Sequence, residues 1–187
     1  DSQGTRWVDG PLTQAARNGA ICYLDEVVEA RQDTTVVIHA LTDHRRCLPI
    51  DKKAEVVQAH PDFQLVISYN PGYQSAMKDL KPSTKQRFVA FDFDYPLPEL
   101  EAQVVVSETG IDSAIATQLV RIAGTARALK GHGLSEGVST RLLVYAALLM
   151  RQGVAPRDAC RMAMVRPITD DADIRQTLDH AIDACWG

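Results

Sequence analysis

The sequence predicts an α/β core followed by an all-helical part, on three observations. Short apolar runs at residues 21–24, 64–69 and 88–93 alternate with stretches of helical spacing, the pattern of a parallel sheet with helical crossovers. Pro96 and Pro98 then mark a change of character, and the chain downstream of them has helical periodicity throughout. Its 187 residues suffice for one moderate domain or a domain with a smaller companion. The boundary falls near residues 95–98, giving an α/β part over 1–96 and a helical part over 97–187.

In chain order, residues 4–8 read as a short strand, half of a hairpin, and Asp9-Gly10-Pro11 as a turn. Residues 12–18 form a short helix stopped by Asn18-Gly19. The run Ile21-Cys22-Tyr23-Leu24 has the composition of a strand buried on both faces. Residues 27–41 read as a helix, 44–50 as a small basic hairpin, and 53–58 as a strand. The strand at 64–69 is stopped by Asn70-Pro71-Gly72, residues 77–81 read as a short helix, and 88–93 as the third buried strand. Helices follow at 99–108, 112–130, 139–151, 156–164 and 171–185, with Pro156 suited to a first turn.

Apolar content of 45% and charged content of 24% are ordinary for a globular chain. The formal net charge of −4 argues against nucleic-acid binding by bulk charge. No apolar run is long enough for a transmembrane helix, and no signal peptide is legible. Cys22, Cys47, Cys160 and Cys185 are scattered without a CxxC pair, which reads as reduced thiols in a cytoplasm. His39, His44, His60, His132 and His180 form no triad and no metal-ligand spacing.

Four positions are candidates for chemistry. Asp25 and Glu26 stand where the first strand ends, the sheet edge at which α/β folds bind ligands. One carboxylate there can hold a Mg²⁺ shell while the other deprotonates a water, or Asp25 simply caps the following helix. Asn70 ends the second strand; it is placed either to position a water or phosphate, or to make an Asn-Pro-Gly turn. Arg87 precedes the third strand, at the edge away from the acids. It is a solvated basic corner or a group reaching a neighbouring subunit. Ser139 is a good N-cap, which puts Thr140 and Arg141 in the first turn. Arg141 with free N–H groups makes an anion site there, or it pairs with Glu136 or Asp112.

Taken together, these motifs resemble an AAA+ ATPase. Asp25-Glu26 is similar to a Walker B motif, Asn70 to sensor 1, Arg87 in Gln86-Arg87-Phe88 to an arginine finger, and Ser139-Thr140-Arg141 to sensor 2. Asp9-Gly10-Pro11-Leu12, leading through Ala16-Arg17-Asn18-Gly19, resembles the MoxR branch. The segments 22–31, 68–74, 130–134 and 166–171 resemble the CbbQ/NirQ/NorQ group, and the likeness covers nearly the whole chain.

That resemblance implies ATP and Mg²⁺ as cofactors. Asp25 would hold Mg²⁺ through water, Glu26 polarise the attacking water, and Asn70 align it. Arg87 would enter the neighbour's site, and Arg141 would contact nucleotide from a helical lid. It further implies a cytoplasmic homo-oligomeric ring, a hexamer, working with a von Willebrand factor A adaptor. The target would be Rubisco blocked by sugar phosphates, or nitric oxide reductase in the NirQ/NorQ branch. Hairpins at residues 4–8 and 44–50 would face the pore or surface. The chain departs from the family in one respect: it contains no GxxxxGK[ST]. In the family that loop follows a first strand lying between those that end at Asn70 and start at Phe88. The expectation is therefore that an N-terminal segment is missing, and that the 187 residues alone do not hydrolyse ATP. A reading of another class is a non-hydrolytic helical interaction module, with the acid pair only a cap.

Overall fold

The structure is a computed structural model that describes residues 4, 6–29, 37–70, 80–134 and 136–186. The chain divides into two compact units, Asp1–Phe91 and Asp92–Gly187, described here one at a time.

In the first unit, helix α1 (Pro11–Asn18) starts on a proline and ends on Gly19 in the left-handed region, at φ 71°. A side chain at Gly19 would also lie 2.4 Å from His60 Nδ1, so conformation and space both select glycine. Strands β1 (Ile21–Leu24) and, after the hairpin, β4 (Gln64–Ile67) pair in parallel, with Ile21 opposite Gln64 and Leu24 opposite Ile67. Between them, β2 (Cys47–Ile50) and β3 (Glu55–Gln58) form an antiparallel hairpin around a 3₁₀ turn at Asp51–Lys53. The hairpin thus joins two segments that the sequence suggested separately, because Leu48 and Val57 both turn into the core. That core gathers Ala15, Ala16, Cys22, Leu41, Leu48, Val57 and Phe63, with Leu24 and Leu65 against it.

Several expectations for this unit are corrected. β1 is buried on one face only: Ile21 and Tyr23 are 66% and 58% exposed, and no described element covers that side. Residues 88–93 form no strand. Val89, Phe91 and Phe93 face solvent; among the described residues the segment pairs with no strand, and a strand without a neighbour is not stable. The described residues of 4–8 are likewise not in a ladder. Trp7 instead donates to Asp9 at 2.6 Å, within a surface network of Asp9, Arg17, Glu55 and Lys53. The helix expected over 27–41 begins as a 3₁₀ turn at Val27–Glu29 and ends in α2 (His39–Thr42); residues 30–36 lie outside the described set. So does most of the helix expected at 77–81, after which α3 (Pro82–Lys85) follows.

The second unit is all helix. α4 (Pro98–Thr109) ends on Gly110 at φ 65°. α5 (Ser113–Ala128) is capped by Asp112, which accepts from the Ala114 N–H at 2.8 Å. α6 (Thr140–Arg151) and α7 (Pro156–Cys160) follow, the latter starting on a proline. The expected helix 156–164 changes to a π-helical turn at Arg161–Val165, which directs Ala163, Met164 and Val165 into the core. α8 (Ala172–Cys185) is capped by Asp171, which accepts from Asp173 and Ile174 N–H at 3.0 Å each. The core includes Val105, Leu119, Ile122, Leu143, Met164 and Ile182. Cys160 lies within it, and burial pushes its thiol up to about 11. Among the described residues no helix is long and apolar enough to cross a membrane.

Candidate functional site

The parallel register determines what surrounds Asp25. Leu24 stands opposite Ile67, so the residues just past the two strands, Asp25 and Ser68, are neighbours. The Ser68 N–H donates to the Leu24 carbonyl and the Val27 N–H to the Ser68 carbonyl, both at 3.0 Å. The Ser68 hydroxyl donates to Asp25 Oδ1 and accepts from the Glu26 N–H at 3.1 Å. The Tyr23 hydroxyl donates to the same Oδ1 at 2.8 Å. Serine and tyrosine thereby hold the Asp25 carboxyl below the ordinary aspartate range, Ser68 foremost.

Asp25 is exposed and anchored through one oxygen only, which leaves Oδ2 open to solvent-borne ligands. That fits a hydrated Mg²⁺ held through water and phosphate better than a closed protein cage. Among the described residues no group of three or more His, Cys, Asp or Glu side chains is placed to hold a metal. Glu26 sits beside it at φ 50°, a left-handed conformation that costs a non-glycine residue roughly 1 kcal/mol or more. The turn that imposes it also carries the Glu26 carboxylate outward, since the residue is exposed. Asn70 is exposed three residues beyond Ile67, past the carboxyl end of the same strand pair.

Arg87 is placed differently from the sequence expectation. It lies in the turn after α3, not at the start of a strand, and it is half-buried, not a solvated corner. Its Nη1 donates to the Ser83 carbonyl, while its Nε is buried with no hydrogen-bond partner among the described residues. Neighbouring Thr84 is buried and lies 2.8 Å from His39 Nε2. Burial, with the Arg87 cation next, pushes the His39 imidazole below its ordinary value.

In the second unit, Ser139 takes the N-cap position of α6 with extended backbone but makes no side-chain cap bond. Arg141 is exposed in the first turn, and among the described residues no acid is within ion-pair distance of it. The pairings with Glu136 or Asp112 do not form; Asp112 is engaged as a helix cap. Thr140 is committed elsewhere: its hydroxyl donates to Glu101 Oε1 at 2.7 Å. Glu101 is fully buried and receives both Arg127 Nη1 and Nη2 at 2.7 Å. Arg127 Nε donates to the Val138 carbonyl at 2.9 Å, and the guanidinium lies 3.7 Å from the Tyr95 ring centre.

Sequence reasoning about sites missed Ser68, Tyr23 and the Glu101–Arg127–Thr140 cluster. A signal for Ser68 exists, because parallel pairing of the two apolar runs puts it next to Asp25. For Glu101 the signal is its spacing from Val105 and Thr109, one buried stripe of α4.

Comparison with known proteins adds independent findings. Residues 1–88 match the family described as AAA domain (dynein-related subfamily), and residues 101–185 match CbbQ/NirQ/NorQ C-terminal. Protein CbbQ of Hydrogenophilus thermoluteolus is 71% identical over 181 residues, 97% of this chain and 68% of that protein. Protein NorQ of Paracoccus denitrificans is 57% identical, covering 98% of this chain and 68% of that protein. The denitrification regulatory protein NirQ of Pseudomonas aeruginosa is 55% identical, covering 97% and 70%.

Proposed function

The chain belongs to the CbbQ/NirQ/NorQ group of MoxR-type AAA ATPases, and from that premise we propose that it is a subunit of a ring-forming ATPase, a hexamer, that remodels a target enzyme. The observation that carries this reading is the anchored carboxylate of Asp25 beside the exposed Glu26, at the carboxyl ends of two parallel strands. In this reading Glu26 orients the attacking water and takes its proton. The Asn70 amide aligns that water, and Arg141 is the proposed phosphate contact of the helical part. Asp25, whose Oδ2 makes no hydrogen bond to the protein among the described residues, would hold Mg²⁺ through water, and the ion would supply neutralisation of phosphate charge. Hydrolysis also requires a glycine-rich loop with its lysine, which the 187 residues do not contain; without it they are inactive alone.

Arg87 acts in trans in this reading, entering a neighbouring subunit's site. Doping Arg87→Ala subunits into active rings then lowers ATPase activity more steeply than their mole fraction. A loss in simple proportion to dilution removes Arg87 from that role.

For the target, the family resemblance implies Rubisco carrying inhibitory sugar phosphates, with a von Willebrand factor A adaptor as partner, and the 71% identity to protein CbbQ supports that branch. The second reading is activation of nitric oxide reductase, favoured by 57% identity to NorQ and 55% to NirQ. The deciding experiment gives inhibited Rubisco the full-length protein, its adaptor and ATP. ATP-dependent recovery of carboxylation supports the first reading; no recovery, with intact ATPase activity, turns the assignment to the second.

A further inference from the structure

Thr140 and Arg141 are adjacent, yet the structure gives them opposite environments. Arg141 points into solvent, while the Thr140 hydroxyl is spent on a carboxylate that no water reaches. Glu101 would be costly to bury as a lone anion. It is tolerated because the Arg127 fork satisfies both of its oxygens, and Thr140 adds a third bond at Oε1.

The same guanidinium takes the Val138 carbonyl. The chain entering α6 is therefore tied at 138 and 140, on either side of Ser139. Gly137 tightens the approach: a side chain there would meet Arg127 Cγ at 2.8 Å and the Tyr95 hydroxyl at 3.0 Å. The residue that follows the second tie is Arg141, whose direction depends on the first turn being held.

We propose that Thr140, held by Glu101 and through it by Arg127, is a positioning residue for Arg141, fixing the turn from which the guanidinium meets the nucleotide phosphates. This rests on the reading of Arg141 as a phosphate contact. A small displacement of such a group weakens its contact by an order of magnitude or more.

The test measures kcat and KM for ATP in the full-length protein, with the melting temperature of each variant alongside. Thr140→Val, which keeps the shape and loses the hydroxyl, raises KM for ATP about tenfold, and Thr140→Ser restores it. Arg127→Lys, which keeps the charge and loses the fork, moves KM in the same direction. The decisive comparison is Thr140→Val in an Arg141→Ala background, where it adds nothing further. Full additivity there, or an unchanged KM in both Thr140→Val and Arg127→Lys, overturns the positioning role while leaving Arg141 at the nucleotide. If Arg141→Ala alone leaves KM and kcat unchanged, the phosphate contact fails, and the positioning role with it.

Discussion

Glu26→Gln in the full-length protein lowers ATP turnover by on the order of 10²–10⁴-fold while nucleotide binding stays within about twofold. The substitution keeps length and shape, and the left-handed backbone at φ 50° is borne equally by Gln. The N–H that Ser68 accepts belongs to the backbone, so the stitch between the β1 turn and β4 survives. What is lost is the ability to take a proton from water. Asp25 retains both hydroxyl donors and its charge, so the carboxylate proposed to hold Mg²⁺ is left intact. Steady-state ATPase assays paired with nucleotide titration separate the two quantities. Unchanged turnover removes Glu26 from the chemistry and leaves proton removal from water to another group; no turnover in the parent protein either is the result that favours the non-hydrolytic module. Lost binding assigns Glu26 to holding nucleotide instead.

The parts of the fold legible in sequence are those set by local chemistry. Gly19, Asp112 and Asp171 mark helix ends because a left-handed turn or a side-chain cap is needed within a few residues. The runs at 21–24 and 64–67 are strands in both readings, and the place of Asp25 and Glu26 at a strand's end follows from them. Long-range pairing explains the failures. Phe88-Val89-Ala90-Phe91 has strand composition, but a strand exists only against a neighbour. In α4 the apolar Leu100 is 53% exposed and the charged Glu101 is buried, the reverse of what hydropathy implies. Glu101 is inside because Arg127, 26 residues away, comes to meet it. Ser68 reaches Asp25 across 43 residues in the same way. Both contacts rest on register, which single-residue preference does not encode.

The Arg127→Leu variant tests that buried pair by its pH dependence. Removing the cation leaves the Glu101 carboxylate with only the Thr140 hydroxyl, in a site closed to water. Breaking one half of a buried pair costs about 3–5 kcal/mol at neutral pH, read as a lower unfolding midpoint of the second unit's helices. In the intact protein, burial pushes the Glu101 carboxyl up, but Arg127 and Thr140 outweigh it and hold the group below the ordinary glutamate value. The pair's stabilisation is therefore complete above the ordinary glutamate range and fades as pH falls through the lowered folded value. In Arg127→Leu the largest lowering influence is gone and burial prevails, so the folded carboxyl lies above its unfolded value. The folded variant then takes up the proton first, and its deficit against the parent narrows as pH falls. A deficit of constant size from pH 7 to the glutamate range would mean that lost packing, not stranded charge, is the cause. Glu101→Leu combined with Arg127→Leu recovers most of the loss at pH 7, because the charge that needed a partner is gone and two apolar side chains fill the space.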